Sequence, residues 1–352
     1  MTLPRLVVDL RRLRANIREL QRRSAPAEVM MIVKCDAYGH GLERVVTAAA
    51  AEGVRWFGAF DSATAVRARA AAGPDARVFA WVTMTRSEIA AAVRAGVTLG
   101  VGDADYLERI VEVNQRRPQP VHLKIDTGLH RSGIRPEHWT EVVRRAAELE
   151  AAGAIRVEGI WSHIAEVSDR DDDLARAAFR EAVQRAEALG LTPTVRHLAA
   201  SAAGAARSEF RFDLVRFGAF AYGIRSVGAP PPDDIALAST LLAPVIRVDA
   251  EAVTIGIGSL DGLPSTLAGC FEVGTAAGAR RVLRIGPTES VVRPWPRAAI
   301  GEEVAVWGPG ARGELDATSL AELIGTVGEE LLVRLSPLIT REYRAGRRPG
   351  AG

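Results

Sequence analysis

Lys34 stands directly behind Met31, Ile32 and Val33 in MMIVKCDAYGHG, and a Gly-rich turn carrying Tyr38 and His40 follows it. An amine at the lip of a core strand is partly desolvated, which favours the neutral form and frees it to attack a carbonyl. A snorkelling lysine at a strand end is the competing reading. Lys124, Asp126 and Arg131 leave a later apolar run in HLKIDTGLHRSG, where Gly128 and Gly133 permit a sharp turn. His163 follows another run in WSHIAE, His197 and Ser201 lie in RHLAASAAG, and Arg216 and Gly218 in DLVRFGAFAYG. Charged and imidazole side chains are poor core filler, because a buried charge needs a partner or a ligand.

Each of these groups sits at or just beyond a strand-like run. Apolar runs at 29–35, 56–60, 78–82, 97–101, 121–125, 157–164, 194–199 and 213–220 alternate with helical patterns at 41–52, 61–71, 85–94, 103–116, 136–152, 171–189 and 201–208. The runs are mostly unbroken in polarity, as parallel strands buried on both faces are. The alternation predicts an α/β fold, a closed (β/α)8 TIM barrel over 11–230. An open doubly wound sheet fits less well, since no GxGxxG follows an early strand. Beyond Tyr222 the stretch SVGAPPPDD is a turn-rich linker, and LLAPVIRV, FEVG, RRVLRIG, EEVAVWG and ELLVRLS are short β-like segments broken by Gly and Pro, with one helical stretch at 318–324. A smaller, mostly β domain is expected over 235–343, joined by the strand at 5–10, with a disordered tail at 344–352.

Composition narrows the function. A net charge of +2 over 352 residues, without Lys/Arg blocks or interleaved aromatics, gives no footprint for nucleic acid. Cys35 and Cys270 are too few for a disulfide framework and have no metal-ligand spacing, so a reducing compartment is the default and no metal is expected. No apolar run approaches a membrane span and the first residues lack a signal-peptide pattern, so the expected location is cytoplasmic.

In a (β/α)8 barrel the reactive groups come from the C-terminal ends of the strands, and the ends of the last two commonly hold a phosphate. Ser201 starts a helix and Gly218 exposes a backbone N–H, so a phosphorylated ligand is expected there. A reactive lysine opposite a phosphate site points to pyridoxal 5'-phosphate, with Lys34 forming the Schiff base, His163 stacked on one ring face and Arg216 aimed at the pyridine nitrogen. A cofactor-free Schiff-base aldolase acting on a sugar phosphate stays open.

KCDAYGHG, HLKIDTGLHRSG, GIWSHIAE, HLAASAAG and DLVRFGAFAYGI together resemble successive motifs of the alanine racemase family, and GEEVAVWG, GTVGEE and LSPLITREY extend the likeness weakly towards the C-terminus. The resemblance implies a barrel binding pyridoxal 5'-phosphate followed by a β domain, in a head-to-tail homodimer whose partner completes the active site. It implies that Lys34 carries the cofactor and acts as one base, that Tyr38, Ser201, Gly218 and Ala219 contact the phosphate, and that His163 stacks on the ring. It implies further that Arg216 meets the pyridine nitrogen, that Arg131 meets the cofactor's phenolic oxygen and the substrate carboxylate, and that Lys124 steadies Arg131. His197 is expected behind these groups, His40 as a loop hydrogen-bonder, Trp161 and Phe220 as barrel core, and His122 and His138 as surface or packing residues.

The sequence also departs from the family pattern. Ala200 replaces an asparagine, and Glu329 replaces a late tyrosine that meets the phosphate. No tyrosine or histidine occurs between Tyr222 and Tyr343, so the family's second base is missing. In VTIGIGSLDG, Ile255 or Ile257 takes the place of a hydroxyl; Asp261, Cys270 and Glu289 are candidate replacement donors. The first expectation is a racemase or epimerase of a small amino acid. A lyase, decarboxylase or other reaction on a larger amino acid, and a non-catalytic holder of pyridoxal 5'-phosphate, are the alternatives.

Overall fold

The chain's strands close into two separate sheets. The computed structural model describes residues 3–82, 84–114, 118–228 and 234–345. The expected tail lies outside them from 346 on, and so does 229–233 of the expected linker. One compact unit comprises Leu20–Asp36 and Leu42–Gly218; the other comprises the described residues of Met1–Glu19, Ala37–Gly41 and Ala219–Gly352.

The first nine strands are β1 (Arg5–Asp9), β2 (Glu28–Ile32), β3 (Trp56–Ala59), β4 (Arg77–Ala80), β5 (Thr98–Val101), β6 (Gln119–Lys124), β7 (Ile155–Trp161), β8 (Val195–His197) and β9 (Leu214–Phe217). In the first unit β2 to β9 pair in parallel in the order β8-β7-β6-β5-β4-β3-β2-β9. The two ends of that order meet, since Asp213 N–H donates to Arg196 O (3.1 Å) and Arg216 N–H to Ala199 O (3.2 Å), which closes the barrel. Helices fill every crossover, as parallel neighbours require. Asp61 caps Ser62–Ala72, and Thr85 with Glu88 makes a capping box at Arg86–Arg94.

The eight barrel strands and the helices between them lie where the apolar spacing puts them. The interior is unusual in chemistry. Phe79 packs against the rings of His122, Trp161 and His197, at 5.0, 5.2 and 5.3 Å between centroids.

The second unit contains β10 (Ser239–Val248), β11 (Val253–Ile255), β12 (Glu272–Thr275), β13 (Gly278–Ile285), β14 (Ser290–Val292), β15 (Glu303–Trp307) and β16 (Thr340–Arg344). They pair in the order β11-β14-β13-β12-β15-β10, and a further β10–β11 pairing closes an antiparallel barrel. β1 lies between β10, antiparallel to it, and β16, parallel to it. The stretch ELLVRLS, expected as a β-like segment, instead begins inside the short helix Gly328–Val333.

Candidate active site

Arg216 organises the barrel's C-terminal end. Its side chain is buried in the interior at the end of β9. One terminal nitrogen donates to His197 Nδ1 (3.0 Å). The other donates to Ser162 O (2.8 Å) and Leu198 O (2.8 Å) and lies 3.1 Å from His163 Nδ1.

A guanidinium only donates, so His197 Nδ1 must accept and its Nε2 must carry the proton. That proton points to His122 Nδ1 at 2.8 Å. The proton of His122 is then on Nε2, which is buried and meets no hydrogen-bond partner among the described residues. Burial, first, and the charges of Arg77 and Arg216 hold His122 near a pKa of about 3. Burial, Arg216 and His122 likewise hold His197 well below the ordinary range, so both imidazoles are neutral.

His163 is half-buried at the end of β7. Burial lowers its pKa to about 2, with help from Arg216, Arg131, Lys124 and Lys34 in that order. Four cationic side chains therefore converge on one imidazole. Lys124 is buried at the end of β6; its Nζ donates to Ser132 Oγ (2.7 Å) and lies 4.7 Å from the centre of the Trp161 ring. Burial, Arg216 and Arg131 bring its pKa from 10.5 to about 8. Burial brings Arg216 itself down to about 9. Trp161 stacks its other way on His197, at 5.6 Å and 5°. The expected core tryptophan is thus also the platform under two cations.

The loop carrying Arg131 is built on Asp126. That carboxylate accepts the Gly128 and His130 N–H groups at 3.1 and 3.0 Å and pairs with Arg135 at 3.1 Å. Gly128 and Gly133 both adopt φ +115°, the left-handed region that the sharp turn requires. Ile134 N–H then returns to Lys124 O (2.8 Å), so the loop is clamped to its own strand.

Lys34 does not end a strand, as the sequence pattern has it. β2 stops at Ile32, and Lys34 opens a single turn in which Cys35, Asp36, Ala37 and Tyr38 all have φ between +53° and +55°. Left-handed turns of ordinary residues cost about 1–2 kcal/mol per residue, so neighbouring contacts must hold this one. Asp36 accepts the Leu42 N–H (3.1 Å) and a contact from Arg67 (3.2 Å). His40 is buried and bridges Ala37 O and Ser239 Oγ at 3.0 Å each, a loop hydrogen-bonder as expected.

Ser201 opens the helix Ser201–Ala206, and its Oγ accepts the Gly218 N–H at 3.2 Å. Among the expected site residues, Lys34, Lys124, Arg131, His163, His197, Ser201, Arg216 and Gly218 share the barrel unit, whereas Tyr38 and Ala219 fall in the other. There Tyr38 packs on Tyr222 at 4.9 Å. Of the candidate replacement donors, Asp261 accepts the Gly258 N–H (2.8 Å), Glu289 pairs with Arg247 (3.5 Å) and Cys270 is exposed. Ile255 and Ile257 are fully buried in the core of their unit.

Sequence reasoning passed over Ser162 and Glu166, and it read His122, which is fully buried against His197, only as a surface or packing residue. A signal it missed lies in the basic residues: Lys34 and Lys124 are the only lysines, among 45 lysines and arginines. Where arginine serves everywhere else, these two positions keep a primary amine.

The charge balance of the barrel end fits an anionic ligand. Arg216 is a buried cation whose hydrogen bonds all go to carbonyls and imidazoles. Among the described residues Glu166 is the carboxylate that opposes the Arg216 charge, and Asp126 opposes that of Lys124. A ligand with more than one negative charge would supply what these groups lack.

The family model described as "Alanine racemase, N-terminal domain" matches residues 8–226. An alanine racemase of Thermobifida fusca is 33% identical over 371 residues, covering 96% of each chain. One of Beutenbergia cavernae is 33% identical over 382 residues, covering 99% of this chain and all of its own. The solved alanine racemase of Streptomyces coelicolor A3(2) superposes with a TM-score of 0.92 at 32% identity, covering 97% of this chain and 98% of its own.

Proposed function

The chain belongs to the alanine racemase family, and from that premise we propose that it is a pyridoxal 5'-phosphate-dependent racemase of a small amino acid. The observation that carries the reading is the primary amine of Lys34 at the barrel's C-terminal end, in the same field as His163, Arg131, Lys124 and Arg216. When bound, the cofactor supplies an electron sink that acidifies the α-C–H of an amino acid.

The chain's own groups do the rest. Lys34 would hold the cofactor covalently and, once displaced by the substrate amine, take or return a proton at Cα. Arg131 would orient the substrate carboxylate, with Lys124 and the Asp126 clamp keeping its loop in place. His163, held neutral, would present a flat, uncharged face. Arg216 has no proton acceptor to offer, so a ring nitrogen beside it would stay unprotonated. That limits the electron sink and suits a reaction in which only a proton moves. Ser201 and Gly218 would take the phosphate.

The test is to incubate the cofactor-loaded protein with L- and D-alanine in D2O and follow the α-proton by NMR. Exchange with inversion of either enantiomer is expected. Exchange of one enantiomer without inversion would favour the second reading, a one-base enzyme with another reaction or a larger substrate. The sequence favours that reading in one respect: all six histidines precede residue 200, and no tyrosine lies between Tyr222 and Tyr343.

The small-molecule partner is therefore an amino acid, and we place the protein in the cytosol as a homodimer. Leu260 and Leu338 support assembly. They are 72% and 89% exposed, on segments joined by Ser336 N–H to Asp261 O at 3.0 Å. Among the described residues no helix is long and apolar enough to cross a membrane.

A further inference from the structure

Glu166 is unused by the chemistry above, yet its carboxylate lies at the expected phosphate end. Its Oε1 accepts the Ala203 N–H at 2.9 Å, two residues along the chain from Ser201. Its backbone is left-handed at φ +54°, and Asp172 fixes it there by accepting the Glu166 N–H at 3.1 Å. The residue is exposed to solvent, although neighbouring protein atoms partly desolvate its carboxyl. The charged groups that act on it are Asp172, from the helix Asp169–Ala188, and Arg216, from β9. The helix Ser201–Ala206 that it touches has the sequence SAAGAA and contributes no charge.

We propose that Glu166 sets how strongly this chain prefers a phosphorylated ligand: a phosphate dianion settling on Ser201 and Gly218 is accompanied by uptake of one proton on the Glu166 carboxylate. The inference rests on the reading of Ser201 and Gly218 given above. As an anion, Glu166 occupies the Ala203 N–H and repels the dianion. Once protonated it is neutral, and its remaining oxygen still accepts that N–H. Burial already raises its affinity for a proton and Asp172 adds to this, while the Ala203 and Ala202 N–H groups and Arg216 oppose it. A dianion nearby raises it further. Binding therefore takes up a proton, and affinity for the phosphate falls as pH rises between the free and the bound values, by at most about tenfold per pH unit for one linked proton.

The experiment compares two aldehydes that react with the same lysine, pyridoxal 5'-phosphate and pyridoxal, titrated into the cofactor-free protein between pH 6.5 and 8.5 and followed by absorbance. The ratio of their dissociation constants isolates the phosphate. Lys124 loses charge in the same interval, so the informative quantity is the part of the slope that E166Q removes. The wild-type preference for the phosphorylated aldehyde is expected to fall about fivefold to tenfold more steeply than that of E166Q. At pH 8.5 the variant should prefer the phosphate by that factor more than wild type. E166A must behave alike, which keeps the test alive if the amide variant folds poorly. Identical curves for wild type and variants overturn the proposal and leave the cofactor reading standing. No binding of either aldehyde overturns both.

Discussion

At the scale of single residues the barrel end is a collection of cations stabilised only in part. Lys124 is the clearest case, buried, with its pKa brought from 10.5 to about 8. The folded value lies below the unfolded one, so between them the unfolded chain binds more protons and stability rises with pH. The cost of the buried ammonium is fully present below about pH 8 and is relieved towards pH 10. K124M should therefore stabilise the cofactor-free protein by about 1–2 kcal/mol at pH 7. In urea denaturation the gap should close by pH 10; a variant less stable than wild type at pH 7 would contradict the argument. The cationic and imidazole residues of the barrel end were legible because lysine, histidine and arginine interrupt apolar runs. His122, by contrast, was open to a surface reading, since nothing next to it in sequence announces that its partner is His197, 75 positions away.

At the scale of elements, room for that imidazole pair comes from Gly159 on β7. A Cβ there would stand 2.8 Å from His122 Cδ2 and 2.7 Å from Val195 O. The second contact is backbone of the neighbouring strand and cannot rotate away, so G159A should cost about 1–3 kcal/mol. Thermal unfolding checks this, with an unchanged melting temperature as the contrary result.

The strands and helices of the barrel were readable from spacing alone, because parallel strands covered on both faces leave unbroken apolar runs. The turn after β2 was not. KCDAY contains no glycine, and local preference argues against four consecutive left-handed residues. Distant groups over-determine it, Ser239 through His40 among them. Glu166 escaped for the same reason, since its role depends on Ala203 lying beside it in space.

At the scale of the molecule, the closed barrel of the first unit was foreseeable from its alternation, and the closure of the second sheet was not. The β10–β11 pairing joins segments whose short, Gly- and Pro-broken runs say nothing of a ring. The exposed Leu260 and Leu338 predict a dimer, which light scattering behind a sizing column should find at micromolar concentration; L338E should shift it towards monomer. A monomeric wild type would contradict the proposed assembly.

Which amine holds the cofactor is the central question, and this sequence makes it simple to ask. Its only side-chain amines are Lys34 and Lys124. The protein should be equilibrated with pyridoxal 5'-phosphate, reduced with borohydride, digested and examined by mass spectrometry. A phosphopyridoxyl label on the Lys34 peptide, with Lys124 unmodified, is the predicted result. Label on Lys124, or on neither lysine, would contradict it.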